Sequence, residues 1–392
     1  MEFIGYEIKE NVLYVKISGR LDSTNAAEAD KKINEITSSF DGNELVIDAE
    51  NLEYISSAGL RVVLRLKKEY PLLKVTNVNS EVYDVFDMTG FTEMMTVEKA
   101  YRKFSVDGCA VIGKGAKGTV YRYNDDTVIK VYKNPDSLPD ILNERELARK
   151  AFVLGIPTAI SYDVVKVGDS FGSVFELLDA KSYSELIAQN PDKLDEYVKD
   201  YAELLKLIHS TPVKADDMPD IKITINKWLE ADKAYLSAEN YGKLKKLVDE
   251  TPDTLNMLHC DYHTNNIMMQ NGETLLIDMD TLSHGHPVFE FANVYITYIG
   301  FGEVDKTVVE KFTGMPYETA KLVWKKFLPI YLGTDDETRI NDVETKVRLL
   351  SYVRLLRHTL RRGVTDEISK KTVDLCVSEI NNLLQQVDTL DF

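Results

Sequence analysis

Three glycines, Gly113, Gly115 and Gly118, interrupt two runs of β-forming residues in V-I-G-K-G-A-K-G-T-V-Y-R, and this stretch constrains the fold more than any other. With Val120 they match the spacing G-x-G-x-x-G-x-V. Glycine lets backbone N–H groups approach phosphate oxygens that a side chain would hold away. A similar glycine spacing opens a helix in dinucleotide-binding folds. Here the chain continues as T-V-Y-R-Y, turns at Asn124-Asp125-Asp126, and resumes as T-V-I-K-V-Y. That pattern predicts a second hairpin, so the glycines lie in a turn between antiparallel strands.

Lys130 falls on the next strand among Val128, Ile129 and Val131, where an ammonium group needs a carboxylate partner. A helix expected over roughly 138–154 supplies two candidates in N-E-R-E-L-A-R-K-A-F. Glu146 is the expected partner and Glu144 the alternative.

Further on, L-H-C-D-Y-H-T-N-N-I-M-M is followed by a turn at Asn271-Gly272 and the apolar run T-L-L-I-D-M-D. His259, Asp261, Asn266 and Asp278 stand in the order that metal-assisted phosphoryl transfer requires. Asp261 can take a hydroxyl proton, while Asn266 and Asp278 offer oxygens to Mg²⁺ held against nucleotide phosphates. Asp280 is a second acidic position on the same strand.

From about Phe104 to the C-terminus, these motifs in this order resemble the aminoglycoside phosphotransferase and choline kinase-like group, a branch of the protein-kinase-like fold. The resemblance implies that Gly113, Gly115, Gly118 and Val120 cover ATP, that Lys130 and Glu146 hold its phosphates, and that Asp261 is catalytic. It implies Asn266 and Asp278 as Mg²⁺ ligands. It places the adenine edge against the strand Phe175-Glu176-Leu177-Leu178, through Glu176 and Leu178. Two departures stand out: Glu290 where such kinases use an aspartate to brace the catalytic loop, and Cys260 where they favour glycine.

The first 104 residues alternate differently. L-Y-V-K-I-S-G-R-L-D reads as a strand, 23–36 as a helix, E-L-V-I-D-A as a buried strand followed by a loop, and Leu60, Val63, Leu64 and Leu66 as the apolar face of a helix. A strand at 73–78 and a short helix at 82–88 complete a small sheet covered by helices. G-R-L-D-S-T-N-A and I-S-S-A-G-L-R resemble the STAS domain of anti-sigma-factor antagonists. That resemblance implies Ser57 as a phosphorylation site, with Ser56 next; helix capping is the competing role for either serine. The expected organisation is α/β and α+β in two domains: a STAS-type sheet at 1–104, then a bilobal kinase-like fold at 105–392 with lobes of about 105–178 and 179–392.

A net charge of −17 argues against nonspecific nucleic-acid binding. No apolar stretch reaches membrane-spanning length, and Cys109, Cys260 and Cys376 lack C-x-x-C spacing, so the cytoplasm is the expected compartment. The acidic balance is compatible with a cationic alcohol as acceptor. Arg354, Arg357, His358 and Arg361 fall on neighbouring turns of a C-terminal helix; an acidic partner or a phosphate could bind there, and a solvated amphipathic face is the preferred reading. The family resemblance places the acceptor site near the helical pair around Trp228. Three activities fit: a small-molecule kinase coupled to a regulatory STAS domain, a signalling module whose kinase fold senses nucleotide or ligand, and a protein-serine kinase. The short H-G-H-P-V-F-E-F-A-N segment without A-P-E argues against the last.

Overall fold

The computed structural model describes residues 3–115 and 117–392. The chain divides into two compact units, one comprising residues up to Asp107 with Val164–Phe171, the other Gly108–Asp163 with Gly172–Phe392. The expected pairing of a small α/β domain with a kinase-like fold is therefore met.

In the first unit, β1 (Ile4–Lys9) and β2 (Val12–Leu21) form a hairpin, followed by α1 (Ala26–Ser38), β3 (Glu44–Ile55), α2 (Ser57–Glu69), β4 (Lys74–Val78), α3 (Ser80–Met88), α4 (Phe91–Met94) and β5 (Thr96–Lys99). The sheet order is β1-β2-β3-β4-β5, parallel from β2 onward. Parallel strands need crossover helices, which explains the strand–helix alternation. Leu60, Val63 and Leu66 of α2 are buried against this sheet with Leu13, Ile47 and Val75. The loop expected after V-I-D-A is absent: β3 runs on to Ile55, because its pairing with β2 continues past register shifts at Lys16/Ser18 and Gly19/Arg20. A short strand β6 (Lys103–Phe104) pairs with Lys166–Val167 in the same unit.

The second unit has two lobes. The smaller carries β7 (Ala110–Lys114), β8 (Gly118–Arg122), β9 (Thr127–Tyr132), α5 (Leu138–Val153) and, from Gly172 on, β11 (Ser170–Glu176), while β10 (Asp163–Val167) is counted from Val164 with the first unit. β7, β8, β9 and β11 are consecutive antiparallel neighbours. The larger lobe runs from β12 (Lys181–Ser182) through α6 (Tyr183–Gln189), α7 (Leu194–Ser210), α8 (Ile221–Asp232), α9 (Ala238–Glu250), β13 (Met257–Leu258), β14 (Ile267–Gln270), β15 (Glu273–Leu276), β16 (Ser283–His284), α10 (Val288–Tyr298), α11 (Lys306–Thr313), α12 (Tyr317–Leu332), α13 (Glu337–Arg362) and α14 (Glu367–Leu383). α6 starts on a capping box in which Ser182 and Glu185 satisfy each other's backbone N–H. α10 is buried along its whole length, and α13 packs on it. Among the described residues no helix is long and apolar enough to cross a membrane.

Candidate active site

The glycine turn is a β-hairpin, with Gly113 opposite Val120 and Lys114 opposite Thr119. The Gly115 N–H donates to the Gly118 carbonyl at 2.9 Å, and the Lys133 ammonium to the Gly115 carbonyl at 2.8 Å. Gly118 is required by packing: a Cβ there would stand 2.5 Å from the Val131 carbonyl oxygen on the next strand. Lys117, from the same turn, forms an ion pair with Asp280.

Lys130 is largely buried and its ammonium donates to Glu144 at 3.0 Å and to Asp278 at 2.6 Å. Burial disfavours the charged amine, but Asp278 and Glu144 more than compensate and hold it protonated well above the usual lysine range. The expectation of Glu146 is corrected here. Glu146 lies on the exposed side of α5 and forms a two-point pair with Arg149, at 2.9 and 3.0 Å. Two residues apart on a helix means nearly opposite faces, so only one of the glutamates could reach the strand. The buried one is Glu144, and the Tyr132 hydroxyl donates to its second oxygen at 2.7 Å.

The catalytic-loop segment leads into β14, and Asn271-Gly272 turns the chain into β15 with both residues at positive φ, as a tight two-residue hairpin demands. Asn266 is buried; its Nδ2 donates to the Asp261 carbonyl at 3.0 Å, and its own carbonyl accepts the Ile277 N–H at 3.0 Å. That clamp brings Asn266 and Asp278 to neighbouring positions, and among the described residues Asn266 Oδ1 has no donor. Asp278 has φ of 57°, a conformation aspartate tolerates better than most residues. Both side chains offer hard oxygen donors, the chemistry Mg²⁺ prefers. Among the described residues no three acidic, histidine or cysteine side chains form a metal cage by themselves. A divalent ion here needs phosphate oxygens as well, as Mg²⁺ in nucleotide sites usually does.

The Asp261 carboxylate is about two-fifths exposed, with His263 Nε2 3.6 Å away and the Asn293 amide donating at 3.5 Å. Burial alone would raise its pKa. The His263 side chain, with the charges of His263, Arg354 and His259, instead holds it well below the ordinary carboxylate range. A carboxylate so held can orient an attacking hydroxyl and accept its proton late, which would suit a loose transition state with little charge on the nucleophile.

Beneath the loop, Glu290 is fully buried and accepts the His259 N–H at 2.8 Å and the Cys260 N–H at 2.7 Å. His209 Nε2 donates to it at 2.8 Å, while Tyr331 holds the other ring nitrogen at the same distance. The longer side chain thus braces the loop with both oxygens. Cys260 has φ of 65°, which explains why glycine would suit the position. Sequence reasoning missed His209, Tyr132, Asn293 and Arg354. Arg354, expected on a solvated face, instead donates through Nη2 to the Cys260 carbonyl at 3.2 Å. No local pattern flags these residues, since their partners are remote in sequence.

At the hinge, the Leu177 N–H is taken by the Asp126 carbonyl at 2.8 Å.

The model of the phosphotransferase enzyme family matches residues 108–316, more than half of the chain, and that of the STAS domain matches residues 4–103. The chain belongs to the phosphotransferase enzyme family. Residues 4–103 form a STAS domain. A solved structure of an aminoglycoside phosphotransferase, a thermostable mutant of APH(4)-Ia in ternary complex with AMP-PNP and hygromycin B, is similar at 12% identity and a TM-score of 0.50, covering 72% of this chain and 94% of that one. The GDP and kanamycin complex of another, APH(2")-IIia, matches at 16% identity and a TM-score of 0.49 over 76% and 98% of the two chains. A choline/ethanolamine kinase family protein from Mesorhizobium loti matches at 13% identity and a TM-score of 0.45 over 71% and 88%. These likenesses concern the fold of the phosphotransferase domain.

Proposed function

We propose that this protein transfers the γ-phosphoryl group of ATP, with Mg²⁺, to a hydroxyl of a small molecule in the cytoplasm, and that its STAS domain couples this activity to regulation or to a partner protein. The observation that carries the reading is the chain of contacts joining these residues: Lys130 donates to Asp278 at 2.6 Å, Asn266 donates to the Asp261 carbonyl at 3.0 Å, and the Asn266 carbonyl accepts the N–H of Ile277, next to Asp278, at 3.0 Å. Mg²⁺ held by Asn266 and Asp278 would supply neutralising charge for the phosphates. Lys130, fixed by Glu144, directs its ammonium toward the same phosphates. Asp261 orients the acceptor hydroxyl; as its oxygen bonds to the γ-phosphorus, the bond to the β–γ bridging oxygen breaks, ADP departs with that electron pair, and the hydroxyl proton passes to Asp261.

Purified protein with labelled ATP, Mg²⁺ and panels of amino-alcohols, aminoglycosides, sugars, hydroxy acids and sugar phosphates tests this, with Asp261→Ala as the blank. Transfer to a soluble acceptor, absent in the blank, is expected. Label found only on the protein, or nucleotide binding without turnover on any acceptor, would overturn it.

Ser57 carries the regulatory part. It is exposed at the first turn of α2, while the neighbouring Ser56 is the cap, its Oγ accepting the Ala58 N–H at 3.1 Å. Capping therefore falls to Ser56 and leaves the Ser57 hydroxyl available, where a phosphate would meet helix N-terminal N–H groups. Intact-mass measurement of protein from its native host should find a phosphate that Ser57→Ala removes.

A further inference from the structure

The phosphate-handling groups leave one charged feature unused: the cations along α13. Arg354, Arg357, His358 and Arg361 follow the spacing that puts side chains on one helical face. Acidic residues outnumber basic ones in this chain, 64 to 47, yet among the described residues Arg354, Arg357 and Arg361 form no ion pair with any carboxylate.

The carboxylates nearest the stripe do not neutralise it. Asp261 and Glu290 face Arg354, and Glu290 is committed to His209 and the loop amides. Asp232 of α8 faces Arg357, but both its oxygens are buried without a hydrogen bond. His358 packs edge-on against Phe301 with ring centroids 5.1 Å apart, and burial together with Arg362, Arg361 and Arg354 pushes it down to about 4. Asp232 thus lies near Arg357 without an ion pair between them, and among the described residues neither Arg357 nor Arg361 has an ion-pair partner.

Its position is fixed at one end. Arg354 donates to the carbonyl of Cys260, the residue before Asp261, and its guanidinium lies 5.2 Å from the centre of the Trp228 ring on α8. Those contacts occupy Arg354, so it positions the loop. Arg357 is half-buried and Arg361 exposed, and both keep open donors. At 1.5 Å per residue they stand about 5 and 10 Å along α13 from that anchor. An arginine fork without a protein carboxylate matches a carboxylate or phosphate on a ligand.

We propose that Arg357 and Arg361 bind an anionic group, a carboxylate or a phosphate, on the alcohol that accepts the phosphoryl group. The acceptor is then a hydroxy acid or a phosphorylated polyol whose charge lies several bonds from the reacting hydroxyl. This rests on the phosphotransferase reading above, and it reverses the cationic acceptor suggested by overall charge.

The test uses the full chain with ATP and Mg²⁺ against gluconate, glycerate, glucose 6-phosphate and glycerol 3-phosphate, set beside glucose, choline and kanamycin. Transfer to an anionic member is expected, and the two acids against the two phosphates tell which anion is read. Arg357→Gln and Arg361→Gln should each raise its KM about tenfold or more with kcat within about twofold, the loss of one charge-assisted contact. Arg361→Lys should recover part of the loss. Transfer confined to choline, kanamycin or glucose, or an unchanged KM in both glutamine variants, would overturn the assignment. Thermal shifts with the same seven compounds, with and without ADP and Mg²⁺, decide the case in which nothing turns over. Stabilisation by an anionic member that the Arg357→Gln/Arg361→Gln variant loses supports the proposal, and none from any anionic member refutes it. Failure of ADP and Mg²⁺ to bind at all would instead count against the phosphotransferase reading.

Discussion

Lys130 donates to Glu144 at 3.0 Å, in a carboxylate fixed from its other side by the Tyr132 hydroxyl at 2.7 Å. The pair holds the ammonium of a strand residue over the cleft, whereas Glu146 spends its charge on Arg149 in solvent. Glu144→Ala should therefore lower phosphoryl transfer or background ATP hydrolysis by about 10²-fold, the order expected when a positioned charge is lost. Glu146→Ala should change it by less than about twofold, since exposed helical pairs contribute little. Steady-state rates of the two variants decide, and equal losses would reject the assignment.

The bracing of the loop makes a second prediction. Glu290 satisfies two loop N–H groups and one histidine with a single carboxylate in a fully buried site. Glu290→Gln keeps the shape but turns an NH₂ toward one of those donors. It should cost about 1–3 kcal/mol in urea unfolding through the unsatisfied group, and lower turnover as well. A variant with wild-type midpoint and rate would show that the loop holds itself.

The sequence made the phosphate-handling half of this site readable because its chemistry is local. Glycines, lysine, aspartates and asparagine recur at fixed separations within two hairpins, and Asn271-Gly272 announces its own turn. The support beneath that chemistry was not readable. His209 reaches Glu290 across 81 positions and Arg354 reaches Cys260 across 94, and nothing near either residue signals a partner. The choice between Glu144 and Glu146 failed for a related reason. Helical periodicity shows that two positions face apart, but which face meets β9 is set by tertiary packing. In the first domain, β3 was read too short because the charged side chains of E-N-L-E-Y-I mask a strand whose backbone stays paired with β2.

Cys260 carries a conformation that suits glycine and yet fills a buried position, with φ of 65° and 6% exposure. The left-handed backbone costs about 1–2 kcal/mol for a residue with a Cβ. Cys260→Gly relieves that strain but gives up buried apolar area and adds chain entropy, each worth about 1 kcal/mol, so the terms nearly cancel. Cys260→Val keeps the apolar character and adds β-branching, which the left-handed region resists strongly. Thermal denaturation should show the glycine variant close to wild type and the valine variant about 2 kcal/mol less stable. Equal stability of the two would mean that φ at this position is not what limits the residue.

Asp232 predicts a pH dependence of opposite sign to that of the paired carboxylates. Its side chain is 1% exposed, both oxygens lack hydrogen-bond partners, and burial raises its pKa to about 7 against a smaller opposing effect of Arg357. The folded state therefore keeps a proton that the unfolded chain releases near pH 4. Between these values folding binds a proton, so this group's contribution to stability falls as pH rises from about 4 to about 7 and then levels off. The slope approaches about 1.4 kcal/mol per pH unit at its steepest. Asp232→Asn is neutral throughout and nearly the same shape. Its gain over wild type in urea unfolding should be small near pH 4 and grow to about 4 kcal/mol by pH 8, the slope of about 1.4 kcal/mol per unit taken over about three units. A difference that stays constant with pH would mean that Asp232 is ionised in the folded protein and paired through Arg357.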